Sequence, residues 1–154
     1  MAKKLQDIPI LTKQFWKKLG DETADRIRVH TTKGGKDVHN KTFKPYSTSY
    51  KIKKASDNTN FQSSTSLKPD LQLTGNMMRN LQTRGFSKDN VIIGWRDENA
   101  QKIEWNSKMG RTVTSKQKPV SKGIERFILK EVDLAIARNA KEATSKPISF
   151  KIGK

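Results

Sequence analysis

Near the start of the chain, apolar residues recur at multiples of four positions, a spacing that places them on one face of a helix. The series is Leu11, Phe15, Leu19 and Ile27. It predicts an amphipathic helix over residues 8–29, which Asp7 can cap and which Gly34 and Gly35 stop. Gly20 lies inside this helix, where glycine costs about 1 kcal/mol relative to alanine. It indicates a bend or a close neighbour at that point.

A second apolar stripe lies towards the other end of the chain and predicts a helix over residues 121–143, capped by Ser121. Its apolar face consists of Ile124, Phe127, Ile128, Val132, Ala135 and Ile136. Two shorter helices are predicted between the long ones. One lies within residues 71–81 and has Thr74 as its cap, and the other runs over residues 97–109.

Two segments have the pattern of β-strands. Residues 81–86 and 91–95 flank a four-residue turn and predict a β-hairpin in which VIIGW is the more buried strand. Residues 148–152, ISFKI, alternate apolar and polar side chains and predict a terminal strand. The order of elements predicts an α+β fold, with a small antiparallel sheet packed against the two long helices.

Composition limits how much of the chain this core can include. A chain of 154 residues is long enough for one domain over residues 1–154, but only 32% of the residues are hydrophobic and the mean hydropathy is −0.83. We therefore expect segments outside the core. Residues 33–67 are predicted to form an extended basic arm or hairpin, and residues 110–120 a second basic loop.

The charge balance points to acidic partners. The chain has 32 Lys and Arg against 15 Asp and Glu, a net charge of +17. This charge attracts polyanions; the alternative is that many lysines serve only solubility. The sequence has no cysteine, no apolar run of the length that spans a membrane and no signal-peptide core. A protein made in a reducing cytoplasm is expected.

The candidate chemistry is sparse. His30 and His39 are nine positions apart and separated by a Gly-Gly loop, which favours structural or surface histidines over a metal site. The same glycines with Lys36 lack the spacing of a phosphate-binding loop. Met77 and Met78, like the tryptophans, are expected to fill the core rather than a ligand pocket. We predict no enzyme, no cofactor and no metal.

One stretch, residues 35–54, interleaves aromatic side chains with lysines. Phe43, Tyr46 and Tyr50 have the chemistry to stack on bases, and lysines can neutralise phosphates. The lysines in question are Lys41, Lys44, Lys51, Lys53 and Lys54. A basic nucleic-acid-binding protein that uses this loop is therefore one hypothesis, although no recognition motif accompanies it.

The order of several short blocks resembles the virion-morphogenesis and tail-completion (neck) proteins of tailed bacteriophages. The first block of that family reads D-x-x-G-x-x-W/F-x-P-L-S. Here it is matched by Asp37, Asn40, Phe43, Pro45, Tyr46 and Ser47, with Asn40 in the position of the glycine. A following L-x-x-T-G-x-L-x-x-S block is similar to Leu71, Thr74, Gly75, Met78 and Leu81, with Met78 and Leu81 each one position later than the family's spacing. Strands ending in V-x-I-G then match Val91, Ile93 and Gly94, and the loop with Lys118 and Pro119 precedes a closing helix.

The resemblance implies a structural virion protein, made in the host cytoplasm, that forms a homo-oligomeric ring such as a hexamer or dodecamer at the head–tail junction. Its partners would be phage portal, neck and tail proteins, with possible contact to DNA in the channel. Residues expected at subunit or partner interfaces are Phe43, Pro45, Tyr46, Tyr50, Arg111 and Pro119. Residues expected to face a polyanion are Lys41, Lys44, Lys51, Lys53 and Lys54.

Overall fold

Five helices and one hairpin make up the part of the chain that the structure, a computed structural model, describes: residues 11–56, 68–71, 75–87 and 89–145. The elements are α1 (Lys13–Thr32), α2 (Thr48–Ser56), α3 (Asn76–Arg79), β1 (Gln82–Phe86), β2 (Val91–Gly94), α4 (Asp97–Lys108) and α5 (Lys122–Ser145). The predicted α+β class is confirmed. The strand predicted over residues 148–152 lies outside the described residues.

The first long helix begins at Lys13, later than the start at residue 8 that the spacing of apolar residues predicted. The Thr12 side chain caps α1, because its Oγ1 accepts a hydrogen bond of 3.1 Å from the Phe15 amide. Asp7, the predicted cap, lies outside the described residues. The helix buries Leu19, Ala24 and Ile27, as the apolar stripe predicts.

The predicted hairpin is present as an antiparallel pair of strands. The Ser87 amide closes the turn by donating to the Asn90 carbonyl over 2.9 Å. A bulge between Thr83 and Gly85 leaves Arg84 as the extra residue, and the Arg84 Nε donates across the hairpin to the Gly94 carbonyl over 3.1 Å. This side-chain bond links the bulged residue to the opposite strand.

Helix α1 contacts both the hairpin and α5, which makes it the central element of the fold. Gly20 lies where the hairpin meets α1. A Cβ atom on Gly20 would lie 2.5 Å from Cγ2 of Val91 and 2.6 Å from Oγ1 of Thr83. The hairpin is therefore the close neighbour that a glycine inside a helix predicted. The Thr83 hydroxyl also donates a hydrogen bond to Asp21 on α1 over 2.8 Å.

The core draws on loops as well as on regular elements. Its buried members are Ala24, Ile27, Phe43, Leu71, Met78, Leu81, Ile103, Val113 and Ile124. Phe43 comes from the segment predicted as an arm and Val113 from the second loop. Residues 33–56 thus fold onto the body instead of leaving it, because the aromatic side chain that was assigned to a partner fills the core of the same chain. Residues 57–67, the rest of the predicted arm, lie outside the described residues.

Helix α2 lies within that segment and was not predicted. The Ser47 hydroxyl accepts from the Tyr50 amide over 3.3 Å at its start. Tyr50 and Lys54 are four residues apart on α2, so they lie on one side of the helix, towards the body. Tyr46, two residues before the helix, is in ring contact with Tyr50. The many lysines and serines of the segment conceal this short periodic signal.

Helix α3 is shorter than predicted, and Gly75 occupies its capping position with φ 74°. Thr74, the predicted cap, lies outside the described residues.

Candidate functional site: two basic loops and an adjoining cavity

The first loop, residues 33–47, is a compact turn held by Asp37. One carboxylate oxygen, Oδ1, accepts hydrogen bonds from the amides of His39 (2.8 Å) and Lys41 (2.7 Å). Asn40 between them has φ 65°, in the left-handed region that asparagine tolerates better than most residues. The Phe43 amide then donates to the Gly35 carbonyl over 2.9 Å. These bonds set the direction in which Phe43 enters the core.

Phe43 and Tyr46 were both predicted to dock on a neighbouring subunit, and the structure corrects this. Phe43 is 2% exposed and Tyr46 is 8% exposed, so neither side chain projects from the body as an arm would require. The Tyr46 hydroxyl accepts from the Leu71 amide over 3.0 Å and donates to Asp70 over 3.4 Å. Its ring lies 4.7 Å from that of Tyr50, centroid to centroid. The aromatic residues of the first block therefore stabilise the subunit itself.

Lys54 was predicted to face a polyanion, and this prediction is wrong. Its side chain is fully buried, and its Nζ lies 2.6 Å from Oδ1 of Asp70, which is itself buried. Lys54 on α2 is thereby tied to the segment that precedes α3. Removing a charged pair from water is costly unless the partners meet in good geometry, so this contact fixes the position of α2.

The same burial affects both tyrosines. Desolvation raises the pKa of Tyr46 to about 12, with the nearby Asp70 carboxylate adding to the effect. Desolvation also raises the pKa of Tyr50, again with help from Asp70. Both phenols are therefore held in the neutral form well above physiological pH.

Arg111 joins the second loop to the first. Its guanidinium donates from Nε to the Lys44 carbonyl (2.9 Å) and from an Nη to the Pro45 carbonyl (3.0 Å), and it lies 4.8 Å from the centroid of the Tyr46 ring. Arg111 is buried within the subunit, but it also lines the cavity described below, so its predicted role at a partner interface stays a prediction. The Val38 amide adds a bond of 2.9 Å to the Thr112 carbonyl. The two loops that the sequence treats separately form one unit.

The joined loops form a basic surface, which we define as residues 33–45 and 110–122. These residues include eight Lys and Arg but only one acid, Asp37, whose carboxylate is engaged in the first turn. Six of its lysines are exposed: Lys33, Lys36, Lys41, Lys44, Lys116 and Lys122. None of the six forms a salt bridge with another residue among those described. Lys41 and Lys44 are therefore available for the predicted contact with a polyanion. Lys53 on α2 is exposed as well, whereas Lys51 is half-buried.

A cavity of about 500 Å³ opens beside this surface, between α2, α3 and α4. Tyr46, Tyr50, Met77 and Met109 supply much of its apolar wall. The charged residues that line it are Lys102 and Arg111, and no acid is among the described lining residues. A volume in this range suits a small molecule or a few inserted side chains. The cavity favours an occupant that is apolar and carries negative charge.

Several large apolar side chains are exposed, and sequence reasoning assigned some of them to the core. Trp105 on α4 is 52% exposed, because it lies on the side of the helix opposite the buried Ile103. Met109, beside it, is exposed at the mouth of the cavity. The others are Val29, Ile52, Phe86, Ile92, Leu129, Leu134 and Ile136. Pro45 and Pro119 are exposed and Tyr50 is half-buried, so these three stay predictions as interface residues.

Asp70 was not singled out from the sequence. It lies between Pro69 and Leu71, and no spacing in the chain connects it with Lys54 or Tyr46. The sequence signal nearest to this pairing is the four-residue spacing of Tyr46, Tyr50 and Lys54, of which Tyr50 and Lys54 lie on one side of α2.

Comparison of the chain with protein-family models, with curated proteins and with solved structures finds no match. Within the described ranges, no helix is both long and apolar enough to cross a membrane. Also within these ranges, no three His, Asp or Glu side chains come together as a metal site would require.

Proposed function

We propose that the chain is a non-enzymatic structural protein of a tailed-phage virion. In this proposal it assembles as a homo-oligomeric ring at the head–tail junction, between portal and tail proteins, after synthesis in the host cytoplasm. The observation that carries the proposal is the way in which the ordered blocks of the sequence fold together. Arg111 binds the backbone of the first block, and the second block packs in the same core.

The structure at Asn40 supports the resemblance of the first block to the phage family, although this residue differs from the family pattern. Asn40 stands where the phage family has glycine, and its φ of 65° is a conformation that glycine adopts freely. Asparagine is among the few residues that replace glycine there at low cost. Phe43 of this block is buried in the core cluster, so the block contributes to the fold of the subunit.

The second block supports the same reading. Leu71, Met78 and Leu81 belong to the core cluster, and Gly75 has φ 74°. Both blocks therefore specify a turn in a left-handed conformation followed by core residues. Since these residues are occupied within the subunit, contacts between ring members are assigned to the exposed side chains. A ring interface buries apolar surface that a single subunit leaves in water.

The test is to locate the protein in particles. Virions produced by a phage that encodes this chain are purified and treated with an antibody against it, and labelled particles are imaged by electron microscopy. The proposal predicts label at the head–tail junction and nowhere else on the particle. Label on the capsid surface or tail fibres, or absence of the protein from purified virions, would refute it.

A second candidate, a nucleic-acid-binding protein, is favoured by the basic surface alone. Lysines without carboxylate partners neutralise phosphates, and such binding weakens steeply with salt. The measurement is binding of duplex DNA over a salt series for the wild-type chain and for K36A/K41A/K44A. The control K17A/K18A removes lysines that are paired with Asp21 and Glu22 on α1. Tight, salt-dependent binding lost only in the first variant supports this candidate, and no binding at low salt eliminates it.

A further inference from the structure

Three carboxylates of α5 differ from those of α1 and α4. On α1, Asp21, Glu22 and Asp25 each pair with a Lys or Arg of the same helix. On α4, Glu98 and Glu104 do the same. On α5, Glu125, Glu131 and Asp133 form no salt bridge with any residue in the described ranges. In a chain with a net charge of +17, unpaired acids on a regular helix need an explanation.

Two of these acids belong to one flank of the helix. Glu125, Leu129, Asp133 and Ile136 follow one another at spacings of four, four and three residues, so they lie within a sector of roughly 80°. All four are exposed, and Leu129 is 58% exposed. We call these four residues the α5 flank. From Glu125 to Ile136 it alternates acidic and apolar side chains over about 17 Å of helix, and the exposed Lys122 lies in the same sector just before it.

The cavity beside the basic surface has the complementary character. Its wall is largely apolar, and Met109 is exposed at its mouth. Its charged lining residues are Arg111 and Lys102, and Lys102 also pairs with Glu98 of the same helix over 3.4 Å. Arg111 donates to backbone carbonyls, which leaves its positive charge without a carboxylate partner among the described residues. Apolar side chains next to carboxylates thus complement this cavity in polarity and in the sign of their charge.

We propose that the α5 flank of one copy of this chain docks in the cavity of the next copy. The occupant is a second copy because the same molecule carries both complementary surfaces on different elements. Such a contact is heterologous, and a series of heterologous contacts closes into a ring when the rotation permits. The inference rests on the proposed ring function and assigns its subunit interface.

A mixture of charge-reversed variants tests the pairing. D133R reverses the flank and K102E reverses the cavity rim, so each variant alone places like charges in contact. Sedimentation of the full-length chain is expected to show that each variant associates about tenfold or more weakly than wild type, and that the equimolar mixture regains association. The control K108E alters a lysine of α4 that pairs with Glu104 and does not line the cavity; it is expected to associate as wild type does.

Introduced cysteines test the proximity, because the chain has no cysteine of its own. A mixture of L129C and M109C chains is expected to form disulfide-linked dimers between the two species under mild oxidation. The control replaces L129C by L134C, since Leu134 is also exposed but lies on the opposite side of α5. Equal cross-linking by L134C would overturn the proposal.

Each remaining outcome is also decisive. Loss of association in D133R without any effect of K102E would show that α5 contacts a different surface, which overturns the proposal. Association that neither variant affects, or a wild-type chain that stays monomeric at its solubility limit, overturns it too. The results for the variants do not refute the ring function itself, because that proposal is judged by the position of the protein in virions and by the oligomeric state of the wild-type chain.

Discussion

Replacing Asp70 by asparagine tests whether the buried ion pair between Lys54 and Asp70 holds α2 against the body. Lys54 is 0% exposed, and its ammonium group lies 2.6 Å from the Asp70 carboxylate. The asparagine removes the countercharge while leaving the ammonium buried, a change that costs about 3–5 kcal/mol. For a chain of this length each kcal/mol lowers the melting temperature by about 2–4 °C, so a decrease of roughly 6–20 °C is expected. K54M/D70L, which removes both charges, should recover much of this loss.

The assay is urea unfolding of the full-length chain, with free energies of unfolding from linear extrapolation. K102M is the matched control, because Lys102 pairs with Glu98 over 3.4 Å at the exposed surface and is worth at most about 1 kcal/mol. A D70N variant that unfolds at the same urea concentration as K102M would refute the reasoning. In that case α2 would not be held by a buried ion pair, and the segment would be free to leave the body as the sequence suggested.

Three further predictions follow from the same geometry. G20A should lower the free energy of unfolding by about 1–3 kcal/mol through its collision with Val91, which exceeds the gain of about 1 kcal/mol in helix propensity; a more stable variant would contradict the close packing. N40A should cost about 1 kcal/mol more than N40G, because only glycine and asparagine accept its positive φ readily; equal stabilities would contradict the turn. Tyr46 and Tyr50 are the two tyrosines of the chain, so its ultraviolet titration should show tyrosinate forming late, with the Tyr46 pKa near about 12. Since the unfolded chain loses its phenolic protons first, near pH 10, stability should be unaffected below that pH and should fall as pH rises from 10 towards 12; normal titration in the folded protein would contradict the burial.

The regular elements were predictable because their signals are local. The stripes of α1 and α5 and the turn between the two strands are read from neighbours at fixed spacing, and these elements are present at about the expected positions. Gly20 was interpreted correctly for the same reason, since glycine inside a helix has few explanations. Only the identity of its neighbour, the hairpin, required the structure.

The site was less predictable because its chemistry depends on contacts between distant segments. Composition suggested that Phe43 and Lys54 were exposed, since they lie among lysines and serines. Their burial depends on Asp70 and on the core that Leu71 and Met78 provide, and no local pattern reports these pairings. The exposure of Trp105 was missed for the opposite reason, because a large aromatic side chain on an amphipathic helix usually faces the core.

The central claim is that this chain forms closed rings. Its most direct test is native mass spectrometry of the purified full-length chain, combined with electron microscopy of the same preparation. The account predicts one discrete oligomer, with class averages that have closed rotational symmetry and a central opening. A monomer at all concentrations, or open filaments of variable length, would contradict it.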